Sequence, residues 1–170
     1  MVTAALVSPQ EYLATTYRPD VDYIDGRLEE RNMGERSHGR IQNLISAWLL
    51  SREKLWGTVT LVEVRLRTGA TRFRVPDVMV LSADAPDEAV VATPPLLCIE
   101  ILSPILSPSD TLQKMWDRTQ DYLAMGVPVC WIVDPSNLRA WTVTSAGLTE
   151  VKDGILRAGA IEMPLSEIAG

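Results

Sequence analysis

The run Leu96-Leu97-Cys98-Ile99-Glu100-Ile101-Leu102 is apolar throughout except for one carboxylate, and prolines bound it at Pro95 and Pro104. A continuous apolar run of that length predicts a central strand, buried on both faces. The chain around it reads outward from there. Downstream, Ser109-Asp110-Thr111 opens a helix that runs to Met125 and is stopped by Gly126 and Pro128. Val129 to Asp134 is a second buried strand, and Leu138 to Thr144 continues as an outer strand after the turn Asp134-Pro135-Ser136-Asn137. From Gly147 the tail holds short extended pieces and a closing helical turn at Leu165 to Ala169.

Upstream, Ser82 to Pro95 is a loop, and Phe73 to Leu81 and Val59 to Leu66 read as two strands joined at Thr68-Gly69-Ala70. Ile41, Leu44, Ile45, Trp48 and Leu49 recur at helical spacing. They predict an amphipathic helix from Ser37, its N-cap, to about Leu55. Asp25-Gly26 is a hairpin turn between short strands within Val21 to Glu30, and Ser8-Pro9-Gln10-Glu11 is a helix start. Helix, hairpin, long helix, strands, helix and strands in that order predict an α/β layer architecture with a mixed sheet.

The length of 170 residues suits one domain spanning 1–170. At 46% hydrophobic and 22% charged, the composition is that of a folded globular chain. A net charge of −6 does not attract polyanions, which argues against gripping nucleic acid through bulk charge alone. A nuclease stays open, because metal-binding carboxylates add negative charge that the metal reverses locally. One histidine excludes His-rich zinc sites. Cys98 and Cys130, each inside an apolar run, are expected to be reduced and buried. No stretch is long and apolar enough for a membrane span, and Met1 to Gln10 lacks the features of a signal peptide. A cytoplasmic protein without a membrane partner is expected.

Four places carry chemistry: Glu100 alone in its apolar strand, Asp77 after Pro76, Lys114 on the following helix, and Glu30 with His38 before the long helix. An ionised carboxylate in a buried strand costs several kcal/mol unless a cation or strong donors compensate it. Glu100 therefore either pairs with a nearby Arg or Lys, or ligates a divalent cation at the C-terminal sheet edge. Asp77 is a turn residue or a second ligand. Two carboxylates on neighbouring strands suit a hard cation such as Mg²⁺ or Mn²⁺. Lys114 forms a surface pair with Asp110 or reaches the sheet edge, and His38 is a helix-start surface residue or a site residue. Glu29 and Glu30 point to opposite faces if extended, so one of them faces the site. If Asp77 and Glu100 are two close like charges in an empty metal site, removing one leaves apo stability unchanged or raised. No GxSxG, P-loop or Rossmann fingerprint is present.

Several segments in order, over roughly residues 20 to 145, carry a resemblance. They are Tyr23-Ile24-Asp25-Gly26 with Glu30 and His38, Val75-Pro76-Asp77-Val78-Met79-Val80, and Ile99-Glu100-Ile101-Leu102-Ser103-Pro104. Asp110 with Lys114 and Tyr122 follow, then Gly126-Val127-Pro128-Val129-Cys130-Trp131-Ile132-Val133-Asp134-Pro135. They resemble the Uma-two family of the restriction-endonuclease-like PD-(D/E)xK superfamily. The resemblance implies a mixed central sheet flanked by helices and metal-dependent hydrolysis of DNA phosphodiesters. It implies Asp77 and Glu100 as ligands of Mg²⁺ or Mn²⁺, with the Ile101 carbonyl completing the shell. Glu30 and His38 match the family's acid and histidine and would hold a second metal or its waters. The superfamily's lysine stands two positions after the second acid, where this chain has Leu102. The resemblance moves that role to Lys114, which would orient or deprotonate water or stabilise the transition state. A homodimer suits a superfamily in which many nucleases act on two strands. Arg65, Arg67, Arg72 and Arg74 are phosphate-contact candidates or outward charges on a solvated strand pair. The alternative function is a non-catalytic nucleic-acid or protein-binding module on the same fold, which the acidic charge favours.

Overall fold

The computed structural model describes residues 5–31, 35–103 and 108–170, with the backbone alone at 108–111. The Asp110–Lys114 pair and most of the loop after Ser103 lie outside the described residues.

Helix α1 (Pro9–Ala14) starts at a capping box: Ser8 accepts from the Glu11 N–H, and Glu11 accepts from the Ser8 N–H. Strands β1 (Val21–Ile24) and β2 (Arg27–Glu30) form the expected hairpin. Its turn residues Asp25 and Gly26 both take positive φ, 50° and 93°, as the Asp-Gly signal demands. Helix α2 (Arg36–Leu50) begins at Glu35 and not Ser37, and it ends before Leu55. A separate short helix α3 (Glu53–Trp56) follows and stops at Gly57, which takes the left-handed conformation at φ 65°.

The two strands expected between Val59 and Leu81 are four: β3 (Thr58–Val62), β4 (Leu66–Gly69), β5 (Arg72–Arg74) and β6 (Val78–Ser82). The breaks have local causes. Glu63 takes φ 54°, which ends β3, and Pro76 has no N–H to give a ladder, which ends β5. Then come β7 (Leu97–Ile101), α4 (Pro108–Met125), β8 (Cys130–Val133), β9 (Ala140–Thr144), β10 (Gly147–Glu150), β11 (Ile155–Ala158), β12 (Ile161–Pro164) and a 3₁₀ turn at Leu165–Ile168.

Six strands form a mixed sheet in the order β10-β9-β8-β7-β6-β3, and four form an antiparallel sheet in the order β2-β1-β5-β4. The β7–β8 pair is parallel, with Cys98 opposite Cys130, and α4 is its crossover. The chain leaves the large sheet after β3, builds β4 and β5 in the small sheet, and returns at β6. β9 is covered by β10 and is not an outer strand. β3 is an edge, and there the Glu53 carboxylate accepts the Thr60 N–H at 2.7 Å, which blunts the edge against a further strand.

The two faces of the large sheet bury separate clusters. Val78, Val80, Leu97, Ile99, Ile101, Trp131 and Val133 pack against α2, the β11–β12 hairpin and the closing turn. Met79, Leu81, Cys98, Leu102, Cys130 and Ile132 pack on the other face with Met115 and Tyr122 of α4. Strand alternation therefore places Glu100 on the α4 face. Both cysteines are buried and unbridged, and burial pushes both thiols up. No helix among the described residues is long and apolar enough to cross a membrane.

Ile99 is fully buried at the centre of the first cluster. Ile99→Ala should cost about 2–5 kcal/mol in urea unfolding, whereas Val59→Ala at the partly exposed β3 edge should stay within about 0.5 kcal/mol.

Candidate functional site

The return from the small sheet to the large one, Val75-Pro76-Asp77, has no ladder of its own, so side chains hold it. The Val75 N–H donates to Asp22 Oδ1 at 2.9 Å, and the Val75 carbonyl accepts from Arg118 Nη2 at 2.9 Å. The Asp77 carbonyl accepts from Gln42 Nε2 at 2.9 Å. Strand β1, helix α4 and helix α2 thus each fix one backbone group of the crossing.

Asp77 stands one step beyond the antiparallel pair Val78↔Ile99, which makes Glu100 its cross-strand neighbour on the same face. Its Oδ1 accepts from Arg31 Nη2 at 2.9 Å, and its Oδ2 accepts from the Ile101 N–H at 2.8 Å. His38 Nε2 lies 3.3 Å from Oδ2, near enough for charge attraction but not aligned as a hydrogen bond. Glu100 is 1% exposed. Arg118 approaches its Oε1 with Nε at 3.0 Å and Nη2 at 2.9 Å, and the Tyr122 hydroxyl donates to the same oxygen. Arg118 Nη1 also donates to Asp22, which accepts from Arg74 Nη1 at 3.1 Å.

Both carboxylates line one cavity of about 700 Å³ with Glu30, Lys114, Arg118 and Asp121. Of the residues singled out from sequence, Asp77, Glu100, Glu30 and Lys114 meet there. His38 does not line it; it is buried behind Asp77, so it is not a surface residue and does not sit with Glu30. Ile101 touches the site through its N–H on Asp77. Glu29 and Glu30 both line the cavity, against the expectation that one would, because β2 is an exposed edge strand with both neighbouring side chains at the rim.

Lys114 is exposed on α4, and the cation against Glu100 is Arg118, one turn further on. The arginine stretch is not a free phosphate-binding row. Arg72 pairs with Asp25 and Asp121, and Arg74, nearly buried, pairs with Asp22, Glu29 and Asp121. Arg65 donates to the Leu13 and Thr15 carbonyls at the end of α1, and Arg67 to those of Gly69 and Ala70. Sequence reasoning missed Asp22, Arg31 and Arg118. Arg118 had a signal: Lys114, Arg118 and Tyr122 fall at four-residue spacing on one helix face. Asp22 and Arg31 had none, since their partners are far away in sequence.

The charges shift one another. Burial pushes Glu100 up to about 7, with the Asp77 charge adding to it and Arg118 and Tyr122 opposing. Asp77 is lowered: burial works against it, but His38, Arg31 and the Ile101 N–H outweigh that. Burial also disfavours protonated His38, yet the Asp77 carboxylate holds its pKa above the ordinary value. These partners argue against the expectation that removing Asp77 or Glu100 spares apo stability. Deleting Asp77 strands the buried Arg31, and deleting Glu100 takes one of the two carboxylates from the buried Arg118.

Two outcomes follow from this geometry. In metal-free buffer, the single histidine should titrate by NMR with a midpoint above about 6.5. A folded pKa raised above the unfolded one stabilises the protein below about pH 6.5 and loses that contribution as pH rises through the folded value. Arg118→Met leaves Asp22 and Glu100 without their shared counter-charge and should cost about 3–5 kcal/mol in chemical unfolding.

Comparison with known proteins agrees with this architecture. A crystal structure described as "a putative nuclease belonging to DUF820" from Anabaena variabilis superposes with a TM-score of 0.79 at 21% identity, covering 95% of this chain and 97% of that one. That likeness establishes a shared fold, the mixed sheet with flanking helices. No curated protein matches the chain. A family model described as "Putative restriction endonuclease" matches residues 9–154, which takes in Asp22, Asp77, Glu100 and Arg118 alike. With most of its length matched and a restriction-endonuclease-like fold around the two carboxylates, the chain belongs to the Uma2 family.

Proposed function

We propose that this protein hydrolyses phosphodiester bonds in DNA with the help of Mg²⁺ or Mn²⁺. The observation that carries the reading is the pair Asp77 and Glu100: two buried carboxylates, neighbours on adjacent strands, opening on one cavity at the sheet edge. Ligands favour that edge in open α/β sheets.

The donor set suits a hard cation. All its atoms are oxygens, Asp77 Oδ1 accepts one described hydrogen bond, and among the described residues none falls on Glu100 Oε2. No group of three or more Asp, Glu, His or Cys side chains is arranged to hold a metal among the described residues. Mg²⁺ does not require such a group, since it keeps several waters and takes one or two carboxylates. Asp77 and Glu100 would hold the ion, with Ile101 contributing its carbonyl. Bound there, the ion would polarise a phosphoryl oxygen and lower the pKa of a water. Lys114, exposed at the cavity, would orient that water or stabilise charge on the phosphoryl group. Glu30 adds a carboxylate at the rim. His38 acts through Asp77, holding it ionised from behind.

One observation favours the second reading, a binding module without catalysis. Asp22, Asp77 and Glu100 already face Arg31, Arg74 and Arg118, so the site is neutralised from within.

Plasmid nicking beside thermal unfolding separates the two. For the hydrolase, nicking should require Mg²⁺ or Mn²⁺ and fall by at least about 100-fold in Asp77→Asn and Glu100→Gln, variants that keep the shape of the side chain. Wild-type protein should gain about 2.7 kcal/mol from the ion at 100 times its Kd, and the variants should not. Wild-type protein that ignores the ion and leaves the plasmid intact is the binding module.

A further inference from the structure

Arg118, which the sequence reading passed over, reaches into the site from α4. It is 7% exposed and touches four groups from different elements: Glu100 Oε1 on β7, Asp22 on β1, the Val75 carbonyl before β6, and the Tyr122 hydroxyl one turn along α4 at 3.2 Å. Counter-charge alone would need one of these. Together they fix the guanidinium plane. Nε and Nη2 lie on Glu100, Nη1 lies on Asp22, and Nη2 also reaches the backbone two residues before Asp77. Tyr122 closes the arrangement by donating to the same Glu100 oxygen.

The consequence for Glu100 is directional. Every described hydrogen bond to its carboxylate falls on Oε1, so the carboxylate is held by one oxygen with its plane set by two donors. Among the described residues nothing donates to the other oxygen, Oε2, and Glu100 lines the cavity. A lysine could supply the charge but not this fork, since an ammonium is a point charge without a plane.

We propose that Arg118, anchored by Asp22 and aligned with Tyr122, is the positioning residue of this site: it holds Glu100 by Oε1 and presents Oε2 to the cavity. The same guanidinium, through the Val75 carbonyl, sets the crossing that carries Asp77. One residue thereby aligns both carboxylates. This rests on the hydrolase reading above, in which Lys114 keeps the role at the water and the phosphoryl group and Arg118 acts only through the carboxylates.

Tyr122→Phe is the test variant, because it removes one hydroxyl and leaves the buried ion pairs in place. Two quantities are measured: Mn²⁺ affinity by titration calorimetry, and kcat and KM for plasmid nicking, each per folded molecule. Loss of a group that orients a ligating carboxylate typically weakens affinity or activity by about 10–100-fold. Tyr122→Phe should therefore weaken Mn²⁺ binding and lower kcat by at least about tenfold, with KM for DNA changed less than about threefold. Arg118→Lys should bind Mn²⁺ more weakly still, with the fork lost and the charge kept. If Tyr122→Phe binds Mn²⁺ and turns over like wild type, and only its unfolding midpoint falls, the network is structural and the positioning role is wrong. Wild-type protein that neither binds Mn²⁺ nor nicks DNA overturns the hydrolase reading itself, and this inference with it.

Discussion

A carboxylate sealed inside an apolar sheet needs a counter-charge, and here a single guanidinium meets that need for two of them. Arg118 lies between Asp22 of the small sheet and Glu100 of the large one. Without it Glu100 would be buried with no counter-charge within hydrogen-bond reach among the described residues, and Asp22 would keep only Arg74 and the Val75 N–H. The two sheets and α4 are therefore joined by charge as well as by apolar packing. That junction also sets where the site can be, because the cavity opens where the charged groups of both sheets and α4 meet.

The path of the chain follows from two small local facts. Glu63 turns out of β3, and Pro76 interrupts the return, so β4 and β5 are built in a second sheet before the chain comes back at β6. The crossing Val75-Pro76-Asp77 is fully buried yet makes no ladder. Buried backbone groups must be satisfied, and here side chains of Asp22, Arg118 and Gln42 satisfy them. A segment held by side chains, and not by a neighbouring strand, can carry a carboxylate at a position that a regular ladder would not give. Asp77 is that carboxylate, supported in turn by Arg31, His38 and the Ile101 N–H.

The same electrostatics separate the two carboxylates in charge. Asp77 is held ionised by cations around it, while Glu100, deeper and beside that negative charge, is pushed up towards neutrality. Neighbouring acids whose environments drive their pKa values apart are a common arrangement where protons or cations are handled.

Sequence alone determined the α/β class, the buried central strand and the flanking helices, and it singled out Glu100 and Asp77. Those features are written in local patterns: an apolar run with one acid, a helical period, a proline before an aspartate. The capping box at Ser8 and the Asp-Gly hairpin were legible for the same reason, since each signal and its effect lie within a few residues. Tertiary structure alone decided which cation stands at Glu100, why His38 is buried, and that Arg72 and Arg74 are spent on internal pairs. Asp22 and Arg118 are separated by 96 residues, and Arg31 and Asp77 by 46. Periodicity carries no information across such distances. Lys114 and Arg118 share one face of one helix, so only the docking angle of α4 could choose between them, and packing against the sheet chose the guanidinium.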